Sequence, residues 1–252
     1  MLAAAHRFQK PTATARISLS GARASYVGPG LDLAPHRNAA ATIAIAVTES
    51  FSLAFFDNPG AAQSPILQKV ALIPPGALHH LQSQGDMAFL YLDALSDDHA
   101  CIRTMDMAAV AARLTGPASS RVRECGVDAL CDILGVAKRE PADPRIASVV
   151  RALDARPQDF LRVEDAARLA GLSPSRFQAL FRQAVGMAFR RYRLWRRMAV
   201  VVQAIAAGHS LTDGALDAGF ASSSHLSAAF KAMFGLTPSN LADLAIDIVV
   251  AA

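Results

Sequence analysis

Cysteine, tryptophan and acid of the right placement are what this sequence has least of. Three cysteines (Cys101, Cys125, Cys131) are an odd set without C-x-x-C spacing, which argues against a disulfide framework and a zinc site. Reduced thiols and a cytoplasmic location are expected. Cys125, close to Arg123, is where a redox-sensing thiolate would arise; the ordinary reading is three small core or surface residues. No run of 18 apolar residues exists, so no membrane span is expected. Met1–Lys10 carries His6, Arg7 and Lys10 and lacks a secretory h-region. The stretch Leu241–Ala252 is apolar but holds Asp243 and Asp247; a docking helix or an oligomer contact is expected there.

The most telling absence is of acid. Between Asp165 and Asp213 there is none, yet eight arginines occur: Arg168, Arg176, Arg182, Arg190, Arg191, Arg193, Arg196 and Arg197. Residues 1–142 hold 12 Lys/Arg and 12 Asp/Glu, residues 143–252 hold 13 and 9, so the net charge of +4 sits entirely in the second part. A long stretch of one sign is the footprint of a polyanionic partner, although a merely solvated basic face has the same composition.

What is present, with 52% hydrophobic residues to build a core, is a phrase used twice. Gly171-Leu172-Ser173-Pro174 is followed by Phe177, Phe181 and Gly186; Gly219-Phe220-Ala221-Ser222 is followed by Leu226, Phe230 and Gly235. Each reads as helix, glycine turn, helix. Gly171 and Gly219 can take the positive φ that ends a helix. Leu172 and Phe220 plug the corners, and Ser173 (with Pro174 at the first helical position) and Ser222 can cap the next helix. Leu216 and Ala218 are expected to pack in the second unit. In a helix-turn-helix the second helix enters the major groove. Its outward residues are Ser175, Gln178, Ala179 and Arg182 in the first unit, and Ser223, Ser224, Ser227, Ala228 and Lys231 in the second. Gln pairs bidentately with adenine and Arg with guanine, so the first unit should read bases and the second, with its small residues, mainly position the protein. Candidate base-reading residues are therefore Ser175, Gln178, Ala179, Arg182, Ser223, Ser224, Ser227 and Ala228. Candidate phosphate contacts are Arg168, Arg176, Arg190, Arg191, Arg193 and Lys231. Phe189–Ala207 reads as one connecting helix with Gly208 as its stop; it would span roughly 28 Å, suited to recognition helices about 34 Å apart on DNA.

These residues resemble the DNA-binding domain of AraC/XylS-type bacterial transcription regulators. The resemblance runs from Ala166-Ala167-Arg168-Leu169-Ala170-Gly171-Leu172-Ser173 through Phe177, Phe181-Arg182, Gly186, Tyr192 and Arg197 to Gly219-Phe220, Leu226, Phe230-Lys231 and Gly235-Leu236-Thr237-Pro238. It implies sequence-specific binding to promoter DNA through two helix-turn-helix units, and activation or sometimes repression, with RNA polymerase as a partner. Two departures stand out. Gly214 replaces an apolar residue or Ala and should weaken its helix by roughly 1 kcal/mol; Asn240-Leu241 replaces an aromatic and an arginine.

The N-terminal part reads as β. Arg16–Ser20, Thr42–Val47, Phe51–Phe56, Lys69–Ile73 and Met87–Asp93 are short apolar or alternating runs between Gly, Pro and Asn clusters, as in a small barrel or sandwich. Ser96–Leu114 and Ser119–Leu134 read as helices. Gly30, His36-Arg37-Asn38 and Pro74-Pro75-Gly76-Ala77-Leu78-His79 loosely resemble the two motifs of the cupin barrel. Only His36 and His79 match its metal ligands, with Asn38 in place of a histidine and no glutamate, too few for a first-row metal. His80 should face away from His79 if both lie on one strand. No metal, cofactor or enzymatic activity is expected.

The fold class is thus α+β: a cupin-like β-barrel for a small effector (1–95), a helical segment that could pair two subunits (96–135), a linker (136–144), and an all-α domain with two helix-turn-helix units joined by a linker helix (145–252). Effector contacts are sought among His36, His79, Ile43, Ile45 and Phe89. The alternatives are a ligand-independent DNA binder with the barrel as dimeriser, and a cupin-like metalloenzyme with a basic appendage.

Overall fold

The computed structural model describes residues 14–31, 33–58, 61–114, 117–136, 143–160, 162–239 and 245–250. Strands β1 (Thr14–Ser20), β2 (Arg23–Pro29), β3 (Ala40–Ala46), β4 (Phe51–Asn58), β5 (Ala61–Ala62), β6 (Ile66–Gln68), β7 (Val70–Ile73), β8 (His79–Gln82) and β9 (Asp86–Asp93) come first. Helices α1 (Asp97–Ile102), α2 (Met107–Arg113), α3 (Pro117–Glu124) and α4 (Val127–Leu134) follow. The C-terminal part holds α5 (Pro144–Ala155), α6 (Val163–Leu169), α7 (Pro174–Val185), α8 (Phe189–Ala206), α9 (Leu211–Asp217), α10 (Ser223–Phe234) and a last strand, β10 (Ala245–Val250).

The strands form two sheets. One has the order β10-β1-β2-β9-β3-β7; in the other, β4 pairs with β5, β6 and β8. The expected barrel is therefore a two-sheet, jelly-roll-like body and not a closed cylinder. Period-two alternation divides the larger sheet. Met87, Phe89 and Tyr91 of β9 face Phe51, Leu53 and Leu81 of the smaller sheet and, beyond its edge, the C-terminal helices. Ala88, Leu90 and Leu92 face the opposite way, onto α1–α4. Burial on both faces explains why β2 was not legible: Arg-Ala-Ser-Tyr-Val-Gly-Pro does not alternate, yet six of its seven residues are buried.

Three expectations need correction. The closing apolar stretch is not a docking helix where it is described. Ala-Ile-Asp-Ile-Val-Val is rich in β-branched residues and lies parallel to β1, in register from Thr14↔Ala245 to Leu19↔Val250. It covers a sheet edge that would otherwise expose unpaired amides, and Asp247 pairs with Arg16 at 2.9 Å. The two helices read over 96–134 are four short ones, because Ser96 and Asp106 each cap a new start. Leu216, expected to pack, is 57% exposed. The linker segment falls mostly on 137–142, outside the described residues, as does Asn240-Leu241. Val136 itself is buried with the α1–α4 cluster.

The C-terminal helices do not sit apart from the sheets. Trp195, Met198, Val202, Phe230, Phe234 and Leu236 share one apolar cluster with Ile17, Leu19, Tyr26, Phe89 and Tyr91. Asp93, at the end of β9, accepts from Trp195 Nε1 at 2.8 Å and from Arg191 at 2.7 Å. Ala39 N–H donates to the Ala232 carbonyl at 2.8 Å, tying the last turn of α10 to the loop before β3. Among the described residues no helix is long and apolar enough to cross a membrane.

Candidate DNA interface and effector pocket

Both repeated units fold as helix, left-handed glycine, helix. Gly171 (φ 64°) and Gly219 (φ 75°) end α6 and α9, and the Ser173 and Ser222 hydroxyls accept from Arg176 N–H at 3.4 Å and His225 N–H at 3.1 Å. Phe177 and Phe181 are fully buried beneath α7, and Leu226, Phe230 and Met233 beneath α10. That leaves Ser175, Gln178, Ala179 and Arg182 exposed along α7. On α10, Ser224, Ala228 and Lys231 are exposed, while Ser223 and Ser227 are half-buried.

Gly214, a weakness by propensity, has a packing reason. A Cβ there would meet the Ala204 Cβ at 3.0 Å, so the glycine lets α9 approach α8 closely.

The arginine run separates into two groups. Arg168, Arg176, Arg182 and Arg190 are exposed; Arg168 lies 3.4 Å from Asp165. The others are turned into the protein. Arg191 pairs with Asp93, Arg193 donates to the Phe160 carbonyl at 2.6 Å, and Arg196, buried, lies 2.9 Å from Asp154. Arg197 donates to the Ala218 carbonyl at 2.6 Å and stacks on Phe220 at 3.8 Å. Their acids and carbonyls come from distant parts of the chain, so counting charge along the sequence overstates the basic surface. Arg191 and Arg193 in particular are committed to internal partners.

Of the effector candidates, His36, His79 and Phe89 line one pocket between the sheets, with Asn38, Thr42, Tyr91 and Phe234. Ile43 and Ile45 do not reach it. Both belong to the cluster under α1–α4, because β3 turns Thr42 and Ala44, not the isoleucines, toward the other face. His80, as expected, does not share the pocket. Alternation would have added Tyr91 to Phe89; nothing in the sequence pointed to Phe234, which arrives from the C-terminal domain.

The His36 and His79 rings lie 4.4 Å apart. Each uses Nδ1 toward a carbonyl, of Ala34 at 2.9 Å and of Ala77 at 3.0 Å. Burial lowers the His36 pKa and pushes that of His79 down to about 4, against the opposing effect of those carbonyls. Among the described residues no group of three or more His, Cys, Asp or Glu could hold a metal. Burial also raises the Cys125 thiol ahead of the opposing Arg121, and raises Cys131 to about 12, so neither site favours a thiolate.

Against known proteins, the helix-turn-helix domain family matches residues 166–243. The HTH-type transcriptional regulator RipA of Corynebacterium glutamicum is 31% identical over 99 residues, 39% of this chain and 30% of that protein, so the chain spans under a third of that relative's length. Among solved structures, ToxT from Vibrio cholerae O395 is similar over 88% of this chain and 97% of its own, at 12% identity and a TM-score of 0.48. A transcriptional regulator with an AraC-type DNA-binding domain from Chromobacterium violaceum is similar over 39% of this chain and 89% of its own, at 26% identity and a TM-score of 0.37. Residues 166–243, which hold both helix-turn-helix units, thus carry a domain of the helix-turn-helix family, similar in sequence to part of an HTH-type transcriptional regulator.

Proposed function

We propose that the protein is a sequence-specific DNA-binding transcription regulator that responds to a small effector held between its sheets. The observation that carries this reading is the pair of recognition helices, α7 and α10, each capped by a serine, set by a left-handed glycine and open along its outer face. On this reading Gln178 and Arg182 read bases, supported by Ser175 and Ala179; Ser223, Ser224, Ser227 and Ala228 approach a second groove closely. Arg168, Arg176, Arg190 and Lys231 are the phosphate contacts that exposure favours. Its partners are promoter DNA, RNA polymerase, and a second copy of the chain paired through segment 96–135. A cytoplasmic location and the absence of enzymatic activity go with this reading.

Selection from random duplex DNA, followed by footprinting, tests it. A motif with contacts in two successive major grooves is expected; binding without any sequence preference would overturn the proposal.

A ligand-independent regulator is the second reading. Its support is the direct docking of α10 on the sheets through Phe234 and the Ala39–Ala232 bond, which already fixes the DNA-binding domain.

A further inference from the structure

The two helix-turn-helix units are packed differently. The first has a core largely its own: Ile146, Val149, Leu153, Phe177, Phe181 and Tyr192 share one cluster, to which the sheets add Ala22. The second draws its core from the sheets. Phe220, Leu226, Phe230 and Phe234 belong to the cluster that takes in Leu19, Tyr26 and Tyr91. The Phe234 ring meets that of Tyr91 edge-on at 5.2 Å. The placement of α7 is thus decided within the C-terminal helices, and that of α10 by the sheets as well.

Both helices also rest on the N-terminal part by their last residue. Gly235, the left-handed cap of α10, is seated so closely on the loop before β3 that a Cβ there would overlap the His36 ring and Asn38 Oδ1. The last four carbonyls of a helix lack partners within it. Near the end of α10, the Lys231 carbonyl takes the Gly235 amide at 2.8 Å and the Ala232 carbonyl takes the Ala39 amide at 2.8 Å, so the loop completes the helix end. Gly186, the cap of α7, has a looser seat at the start of α1, where a Cβ would come within 3.1 Å of the Asp97 carboxyl group. In a helix-turn-helix the N-terminal residues of the second helix meet the base edges, so both helices are held by the end that does not read.

We propose that His36 and Asn38 are positioning residues for DNA recognition: through Gly235 they fix the end of α10 on the sheets, and so set the separation of the two recognition helices and the one half-site spacing that the chain accepts. The inference rests on the DNA-binding reading above and goes beyond it, because it assigns the spacing to the sheets as well as to α8. One base pair more or fewer moves a half-site by about 3.4 Å and turns it by about 34°. With α10 held, the duplex must absorb that displacement by twisting, at a cost in affinity. With α10 loose, the protein absorbs it. The first helix, with its own core, stays in place in both cases.

Two measurements on the full chain test this. The first, hydrogen exchange read by mass spectrometry, needs no DNA. His36→Ala combined with Asn38→Ala should speed exchange in segment 223–235 by about tenfold and leave segment 174–186 unchanged. The second uses duplexes that carry the motif obtained by selection, with the step between its half-sites lengthened or shortened by one or two base pairs. The unaltered chain is expected to favour one spacing by about tenfold or more, and the double variant by about threefold or less. Leu130→Ala, in the cluster under α1–α4, is the control for stability. It should lower the urea midpoint and keep the spacing ratio, since a smaller folded fraction weakens binding to every duplex alike. Should the double variant not fold, Phe234→Leu, which withdraws the ring from Tyr91, takes its place. Unchanged exchange in 223–235, a spacing ratio that the variant retains, or one that Leu130→Ala flattens equally overturns the proposal. A selected motif that the unaltered chain binds at every spacing overturns it too and leaves the DNA-binding reading standing. Failure to select any motif overturns that reading and this inference together.

Discussion

Trp195 Nε1 donates to Asp93 Oδ2 at 2.8 Å, and this one bond joins the end of β9 to α8, the helix between the two helix-turn-helix units. The same oxygen takes Arg191, while Asp93 Oδ1 accepts the Leu95 amide at 2.9 Å. The carboxylate is fully enclosed but fully engaged, which is the condition under which a buried charge is tolerated. Tyr91, two residues earlier on β9, lines the pocket between the sheets.

Asp93→Ala should therefore lower stability by about 3 kcal/mol, since it strands Arg191 and the indole N–H together. Trp195→Phe should cost about 1–3 kcal/mol. The double variant should fall short of the sum by about 1 kcal/mol, measured by urea unfolding with far-UV circular dichroism. Strict additivity would mean that the two residues act independently.

Arginines that look alike in sequence should part company. Arg190→Ala is expected to weaken DNA binding uniformly and reduce the slope of log affinity against log salt by about one. Arg191→Ala should instead lower the unfolding midpoint, through the loss of Asp93's partner. Gln178→Ala with Arg182→Ala should relax base preference at the first half-site, at about 1–3 kcal/mol per lost bidentate contact. Recovery of an unchanged motif from random DNA by that variant would show that α7 does not read through these residues.

Gly214→Ala should not give the roughly 1 kcal/mol that helix propensity alone offers, because the new Cβ meets Ala204 across α8 at 3.0 Å. Gly214→Val should cost about 1–3 kcal/mol by overpacking. Thermal unfolding measures both; a raised midpoint for the alanine variant would refute close approach as the reason for this glycine.

Mild acid should loosen the packed sheets. Burial holds His79 at about 4, below the unfolded value of about 6.5. Between these values the unfolded chain binds a proton that the folded chain refuses. Stability from this group is therefore complete above about pH 6.5, falls as pH drops, and at pH 5 is lower by about 2 kcal/mol. His36 shifts in the same direction. Urea midpoints between pH 7 and 5 should show the fall, and His79→Leu should flatten it; an equal slope in the variant would assign the effect to other groups.

The local chemistry of the helix-turn-helix units was written in the sequence. Glycine at a positive φ, a serine cap and an apolar spine are decided within a dozen residues, so Gly171, Ser173, Phe177 and Phe181 could be read directly, as could the connecting helix at 189–206. The alternating strands β1, β3 and β9 were legible for the same reason. The tertiary structure decided everything that depends on a partner far along the chain. It gave four of the eight arginines internal acceptors, turned Ile43 and Ile45 toward the helices, made the apolar tail a strand because β1 had an open edge, and brought Phe234 of α10 to the pocket between the sheets. Periodicity and capping act between near neighbours, whereas the destination of a side chain is set by what the fold brings opposite it.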